Sequence, residues 1–265
     1  MTQVQNTLRV VTRGDDAGSS LSANRAIRTA CNEGILRNVS VMAPGPYLKD
    51  AWEQLRDFHE PDRWRGVAFG LHVCLTSEWD YPRWGPVAPA ARVQSLVVED
   101  GCFPKTCAQL QQKVVLSEML LEVEAQLDAM RRIGFRPVYM DEHMGVGWVN
   151  GLSKELAKLA MREKLVYKPA LTPVPLGGNT VQHADYATPF LQFLRSRTAV
   201  ERCQETYLAV GHPAYDDDEM RAMRTELSPP GEVSRDRVGQ RILFLRQDVQ
   251  DFFYKEAVAV RYDEI

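Results

Sequence analysis

Short apolar segments of strand character alternate with segments of helical character along most of this 265-residue chain. The first strand-like segment, residues 8–12, is rich in β-branched side chains, and helix-forming residues follow it at 23–32. Further strands are predicted at residues 39–43, 66–75, 138–141, 165–167 and 207–210. Because strands that alternate with helices on short connections pair in parallel, the chain is predicted to belong to the α/β class. The number of units favours a single-domain, distorted (β/α) barrel of mostly parallel strands over an open sheet.

Helical segments fill the intervals between these strands. The strongest is residues 114–133, where apolar side chains recur at three- and four-residue spacing before Gly134. Other helices are predicted at residues 48–58, 152–164, 189–195, 219–226 and 235–253. Residues 77–104 show neither the helical nor the strand period of apolar side chains, so they are predicted to form a loop. A loop of this length is typical of a lid or a binding wall. Trp79 and Trp84 in this loop are candidates to contact a substrate by stacking on it, or else to form a small core of their own.

Charge and composition narrow the range of partners. The formal net charge is −3, from 32 Lys and Arg against 35 Asp and Glu, which is too small to hold nucleic acid or an anionic membrane. We therefore expect a small, uncharged substrate. A hydrophobic fraction of 45% supports one sizeable core, so residues 1–265 are predicted to form a single domain. No apolar run reaches about 18 residues and the N-terminus has no signal-peptide pattern, so we expect a cytoplasmic protein, with homodimerisation left open.

Ionisable side chains lie at the predicted carboxyl ends of four strands. They are Asp15, Asp16, His72, Asp141, His143 and His212. In a parallel barrel these strand ends converge on one face, so residues that are far apart in the sequence become neighbours there. Three of the five histidines of the chain belong to this set, which favours a functional site. The structural alternatives are an Asp pair that caps a helix and histidines that pack in the core.

Two imidazoles and one carboxylate, with positions left for water and substrate, form a ligand set for a catalytic divalent cation. The second aspartate of the pair then has a different task, because a carboxylate beside the cation can take a proton from the attacking water. Neighbouring residues of a regular strand point to opposite faces, so Asp15 and Asp16 both serve only if the backbone turns between them. Gly14 and Gly18 permit that turn.

Six segments of the chain match, in order, the motifs of a known family. They are GDDAGSSLSANRAI at residues 14–27, EGILRNVSVMAP at 33–44, GLHVCLT at 70–76, SLVVEDGCFP at 95–104, GFRPVYMDEHMGV at 134–146 and GHPAY at 211–215. On these segments the chain resembles the YdjC-like carbohydrate deacetylases, which are relatives of the enzymes that deacetylate chito-oligosaccharides. The resemblance runs over most of the chain and implies a distorted TIM-like or NodB-like barrel.

The resemblance also implies roles for individual residues. Asp15 is the implied general base, and Asp16, His72 and His143 are the implied ligands of one divalent metal ion, Mg²⁺ or Zn²⁺. His212 is the implied candidate for the general acid that protonates the leaving amine; its alternative role is that of a structural turn residue before a proline.

Two further residues are candidates for substrate contacts. One is Asn24, from the Asn-Arg pair in the first matched segment, and the other is Asp141, whose alternative roles are to orient His143 or only to accept backbone hydrogen bonds. The chain departs from the family's motif at Tyr139, Gly145 and Gly147, where the family has histidines. These departures indicate a substrate that differs from a chito-oligosaccharide.

The predicted protein is a hydrolase that removes an acetyl group from an N-acetylated sugar or oligosaccharide, with metal-bound water attacking the acetamide and an aspartate as base. Its predicted partner is a small carbohydrate, with no nucleic acid and no membrane. One alternative is a metal-dependent hydrolase of a phosphoester or a peptide-like amide, although such sites favour two metals or a cationic clamp and only Arg13 lies near. The other is a non-catalytic sugar-binding protein on the same scaffold, which has no need of a base beside a metal.

Overall fold

A computed structural model describes residues 7–59, 66–167, 171–176, 185–198, 205–225 and 228–265 of the chain. Within these residues helices surround a seven-stranded parallel sheet, which confirms the predicted α/β class. The strands are β1 (Leu8–Ala17), β2 (Asn38–Val41), β3 (Ala68–Val73), β4 (Pro137–Glu142), β5 (Thr172–Pro173), β6 (Thr206–Gly211) and β7 (Ala257–Val260). The helices are α1 (Leu21–Glu33), α2 (Leu48–Leu55), α3 (Cys107–Gln111), α4 (Leu116–Ile133), α5 (Leu152–Glu163), α6 (Ala187–Thr198), α7 (Asp218–Ala222), α8 (Glu232–Leu245) and α9 (Gln247–Lys255).

Strand β1 lies inside the sheet, whose order is β4-β3-β2-β1-β6-β5. Strand β6 pairs along one edge of β1, whereas β7 and β2 share the other edge, β7 beside its first half and β2 beside its second. The Asn38 side chain joins these neighbours: its amide donates to the carbonyls of Thr12 (3.1 Å) and Val260 (2.9 Å), and its oxygen accepts from the Tyr262 N–H (2.9 Å). The C-terminal strand is thereby tied to the strand that carries both aspartates.

The sheet curves into a half-barrel whose pairing weakens at both edges. On the outer side of β4 a single parallel bridge joins Tyr139 to Val166, and on the other side β6 pairs with a β5 of only two residues. The strand predicted at 165–167 is therefore reduced to one bridge in the described chain. The predicted distorted barrel is confirmed, with its strongest wall running from β4 to β6.

The sequence periodicity correctly locates the long helix α4. Its apolar positions Met119, Val123, Leu127 and Met130 are all buried, and it ends at Gly134, whose φ of 123° favours glycine. None of the helices in the described residues is both long enough and apolar enough to span a membrane.

The prediction of one continuous helix at residues 235–253 is wrong, because two helices lie there. Arg246 has an extended backbone, with ψ of 135°, and separates α8 from α9. Its guanidinium pairs with Asp248 in the first turn of α9 at 2.7 Å. The sequence shows helix-forming residues on both sides, so the break depends on how each helix packs and was not visible from propensity.

All strands of the sheet run in the same direction, so their carboxyl ends lie on one face of the molecule. Strand β1 ends at the two aspartates, β3 carries His72 one residue before its end, and His143 follows β4 directly. His212 follows β6 in the same way. The fold therefore brings together side chains that are widely separated in the sequence.

Candidate active site

Asp15 and Asp16 both reach the carboxyl face because β1 turns between them. Asp16 has φ of 66°, in the left-handed region, and its carbonyl accepts a hydrogen bond from the Ser19 N–H at 3.0 Å. The pairing of β1 with β2 becomes irregular at the same place, directly after Gly14. The turn that the sequence required therefore lies at Asp16 itself and at Gly18, whose φ is 101°. Aspartate is one of the few non-glycine residues that adopt this conformation readily.

Asp16, His72 and His143 meet as a buried group at this face. Asp16 Oδ1 lies 3.5 Å from His72 Nε2 and 3.4 Å from His143 Nδ1, and these two nitrogens are 3.2 Å apart. Asp16 Oδ1 accepts no hydrogen bond of normal geometry from any described residue. A buried carboxylate oxygen without such a partner, facing two imidazole nitrogens, is an arrangement that suits a cation.

The two imidazole rings are oriented by carboxylates on their far sides. His72 Nδ1 lies 3.0 Å from Asp141 Oδ1, and His143 Nε2 lies 2.9 Å from Glu78 Oε2. Each ring can thus donate one N–H to a carboxylate and present the lone pair of its other nitrogen towards Asp16. Asp141 therefore contacts His72, and not His143 as its alternative role from the sequence required. Glu78 was missed from the sequence, where the only signal was an acidic residue soon after a histidine-bearing strand.

The carboxylates around this group outnumber the guanidinium groups that contact them. Four carboxylates contact two guanidinium groups and the two imidazoles. The carboxylates are Asp15, Asp16, Asp141 and Glu78, and the guanidinium groups are those of Arg13 and Arg237. Burial by itself would lower the pKa of His72, but the charges of Asp141 and Asp15 outweigh burial and raise that pKa to about 9. Burial by itself would also lower the pKa of His143, but the charge of Glu78 outweighs burial and raises that pKa well above its ordinary value.

Both pKa shifts favour protonated imidazoles beside the surrounding carboxylates. Without a cation, the two imidazoles take up protons to offset the excess carboxylate charge. One divalent cation supplies the same two charges and leaves both rings neutral, as ligands must be. The residues present therefore fit one divalent metal ion.

Arg237, on α8, closes one side of the group. Its guanidinium lies 2.8 Å from Asp16 Oδ2 and 5.4 Å from the centre of the Trp79 ring. Burial alone would raise the pKa of Asp16, but the charge of Arg237 and the two nearby imidazoles hold it well below its ordinary value. Arg237 was not predicted from the sequence, because it stands 221 positions after its partner and belongs to no local motif.

Arg13 lies on the opposite side and anchors Asp15. Its Nε and one terminal nitrogen donate to the two Asp15 oxygens at 2.7 and 2.8 Å, and its other terminal nitrogen lies 2.7 Å from Asp141 Oδ2. Burial would lower the pKa of Arg13, but Asp141 and Asp15 raise it well above its ordinary value, so the guanidinium stays charged. The two neighbouring aspartates thus have different partners: Arg13 holds both oxygens of Asp15, whereas Asp16 pairs with Arg237 through Oδ2 and faces the two imidazoles through Oδ1.

The group forms the floor of a cavity of about 730 Å³, a size typical of small-molecule sites. Trp79, Lys105 and Met144 are among the residues of its walls. His212 also lines the cavity, and its Nδ1 lies 3.3 Å from Gln240 Oε1. Of the candidate substrate contacts named from the sequence, Trp79 is therefore in a position to touch a ligand.

Trp84 and Asn24 lie in positions that do not fit the predicted substrate contact. The Trp84 ring is 3% exposed, and its indole N–H donates to the Thr76 carbonyl at 2.7 Å. Asn24 is fully buried; its oxygen accepts from the Gly18 N–H at 2.7 Å and its amide donates to Asp50 at 2.8 Å. Both side chains have their polar atoms satisfied inside the fold, so we assign them structural roles.

A family model described as YdjC-like protein matches residues 9–255 of the chain. The chain belongs to the YdjC-like family. A carbohydrate deacetylase from Thermus thermophilus is 30% identical over 186 residues, a match that covers 67% of this chain and 61% of that protein. A carbohydrate deacetylase from Geobacillus stearothermophilus is 27% identical over 211 residues, which cover 78% and 80% of the two chains. The chain thus spans about three fifths of the Thermus relative.

The YdjC-like fold also has a solved neighbour. A crystal structure from Enterococcus faecalis, described as a candidate cellobiose-phosphate cleavage protein, superimposes with a TM-score of 0.78 at 21% identity. The superposition covers 98% of this chain and 99% of that one. This likeness confirms the fold of the YdjC-like chain over its length.

Proposed function

We propose that the protein is a metal-dependent carbohydrate deacetylase that hydrolyses the acetamide of an N-acetylated sugar. The observation that carries the proposal is the meeting of Asp16, His72 and His143 on the floor of the cavity, with Asp15 beside them. The curated relatives named as carbohydrate deacetylases support the reaction and the class of substrate. A cytoplasmic location and a homodimer stay predictions from the sequence.

Asp16 Oδ1, His72 Nε2 and His143 Nδ1 are the atoms that would hold the metal ion. When bound, the ion supplies a Lewis acid that lowers the pKa of water and stabilises negative charge on an acyl oxygen. Two imidazole ligands favour Zn²⁺ or another transition metal over Mg²⁺, which prefers oxygen ligands.

Asp15 is the residue proposed to accept a proton from water as the water oxygen adds to the acetamide carbon. Both Asp15 oxygens accept hydrogen bonds from Arg13, so the carboxylate is oriented before a substrate arrives. An ionised carboxylate has about four acceptor positions, and Arg13 takes two of them. The remaining lone pairs leave Asp15 able to receive the proton.

His212 is the residue proposed to protonate the leaving nitrogen as the carbon–nitrogen bond breaks. Its Nδ1 can donate to Gln240 Oε1, which leaves Nε2 as the nitrogen that exchanges a proton with the substrate. The Gln240 amide is held in turn by Asp236 at 2.7 Å, so the orientation of its oxygen is defined. The products are acetate and an amino sugar, and the proton taken by Asp15 balances the one that His212 gives.

The walls of the cavity suit a neutral sugar better than a phosphoester. Trp79 offers an aromatic surface to the apolar face of a sugar ring. Among the described residues, two Lys or Arg side chains line the cavity, and each pairs with a carboxylate, Lys105 with Asp80 and Arg237 Nη2 with Asp16, whereas Arg237 Nη1 has no hydrogen-bond partner. A phosphoryl group would have to compete with these carboxylates for both cations.

The proposal is tested by measuring acetate release from a panel of N-acetylated mono- and oligosaccharides, with chelator and after Zn²⁺ or Mg²⁺ is restored. We expect release that chelator abolishes and metal restores. Asp15→Asn should lose at least about 100-fold in kcat while keeping its bound metal, because it removes a proton acceptor and no ligand. His72→Ala, the matched ligand variant, should lose the metal itself.

Full activity in Asp15→Asn would exclude it as the base. A wild-type protein that carries stoichiometric metal but releases no acetate from any sugar of the panel would contradict the deacetylase proposal.

A further inference from the structure

Arg13 makes more polar contacts with this site than holding one aspartate requires. Its guanidinium donates to both oxygens of Asp15, lies 2.7 Å from Asp141 Oδ2 and donates to the Tyr262 hydroxyl at 2.9 Å. The side chain is only 10% exposed. Arg13 is thus a buried cation placed between two carboxylates that belong to different strands.

The two carboxylates that Arg13 joins form part of a second group with the geometry of a metal site. Ligand atoms of Asp15, His72 and Asp141 all lie within 4.8 Å of one another, as do those of Asp16, His72 and His143. The two groups share His72 through different ring nitrogens, since Nε2 faces Asp16 and Nδ1 faces Asp141. Two carboxylates facing each other in a buried place require a cation between them, and here the guanidinium provides it.

The position of Arg13 is also fixed by the side chains that pack against its hydrogen-bond partner Tyr262. Its Tyr262 partner stacks on Tyr139, with ring centres 4.2 Å apart, and Tyr139 shares a hydrogen bond of 2.9 Å with Ser40. Ser40 donates in turn to Asp141 Oδ2 at 2.9 Å. The guanidinium therefore contacts a pair of stacked aromatic rings and cannot readily move out from between the two carboxylates.

We infer that Arg13 takes the place of a second divalent cation and so restricts the centre to one metal ion. This inference rests on the proposed function, since it assumes that Asp16, His72 and His143 hold a metal. A guanidinium can make a bidentate contact with a carboxylate, as a metal ion can. Unlike a divalent ion, it carries one charge and offers no coordination position to water or substrate. Asp15 consequently stays outside the metal ligand set, and its lone pairs remain available to accept a proton.

The test counts bound ions, so it does not depend on turnover. The metal-free wild type, Arg13→Met and Arg237→Met are titrated with Mn²⁺, and free Mn²⁺ is counted from its electron paramagnetic resonance signal. We expect one bound ion in the wild type and two in Arg13→Met, because Asp15 and Asp141 become free to bind a hard cation. Arg237→Met, which also removes one buried positive charge, should bind one ion, since its partner Asp16 already belongs to the first group.

Arg13→Lys provides a second control, because it keeps a cation between the carboxylates and should bind one ion. If Arg13→Met does not fold without metal, it is refolded with Mn²⁺. Recovery of the native circular dichroism spectrum with two bound ions supports the inference, and failure to fold at any Mn²⁺ concentration contradicts it.

One ion in both the wild type and Arg13→Met, or two in the wild type, would overturn the role of Arg13 and leave the proposed function intact. A wild type that binds no ion would overturn both.

Discussion

Glu78 orients His143, and replacing it tests the metal centre without altering a proposed ligand. Its Oε2 lies 2.9 Å from His143 Nε2, and its side chain is 12% exposed, so little water is available to replace the contact. Carboxylates behind metal-binding imidazoles typically contribute about 10- to 100-fold in metal affinity. The structure allows the charge and the hydrogen bond of this carboxylate to be separated.

Glu78→Gln keeps an oxygen that can accept the His143 Nε2–H but removes the negative charge. We expect metal affinity to fall about 10-fold, or about 1.4 kcal/mol. Glu78→Ala removes the charge and the acceptor, so the ring is no longer held with Nδ1 towards Asp16. Its affinity should fall about 100-fold, or about 2.8 kcal/mol.

The assay is competition for Zn²⁺ against a chromophoric chelator, with thermal denaturation as a check that each variant is folded. The matched control is Glu124→Gln on α4, which removes a surface ion pair with Arg162 and should leave affinity unchanged. An Ala variant whose affinity stays within about twofold of the wild type would refute the argument, because an orienting carboxylate should cost more than that. A larger loss of metal affinity in Glu78→Gln than in Glu78→Ala would also refute the argument.

Two further predictions concern the histidine charge and the two tryptophans. The pKa of His72 is raised from 6.5 to about 9, so its protonation stabilises the metal-free fold fully below 6.5 and less as the pH rises through 9. The Tm of the metal-free protein should therefore fall over this interval, more than that of the metal-loaded protein; a Tm that rises with pH would contradict the charge argument. Trp79→Ala should raise KM about 3- to 10-fold with little change in Tm, because this ring lines the cavity, whereas Trp84→Ala should cost about 3–5 kcal/mol of folding stability, because that ring is buried. Chemical denaturation and steady-state kinetics on both variants check this, and the reverse pattern would overturn the two assignments.

Local sequence patterns correctly predicted the parts of this protein that depend on neighbours along the chain. The apolar period of α4 and its end at Gly134 follow from helix geometry alone. The nearness of Asp16, His72 and His143 follows from strand direction, because the ends of parallel strands share one face. Even the turn between the two aspartates was required by strand geometry, and Gly18 was identified for it, although Asp16 was not.

Contacts between distant elements could not be predicted, because they depend on how finished helices and loops pack on the sheet. Trp79 and Trp84 are alike in the sequence, and only the path of their loop sends one ring to the cavity and the other to the core. The same holds for Glu78, which a loop places behind His143.

The charge balance of the site was likewise decided by the tertiary structure. Arg237 reaches Asp16 from a helix 221 residues further along the chain, and no local pattern encodes that pairing. The sequence by itself determined which groups stand at the ends of the strands. Only the folded chain decided which of those groups are paired, because burial makes an unpaired charge costly and the partners come from wherever the packing places them.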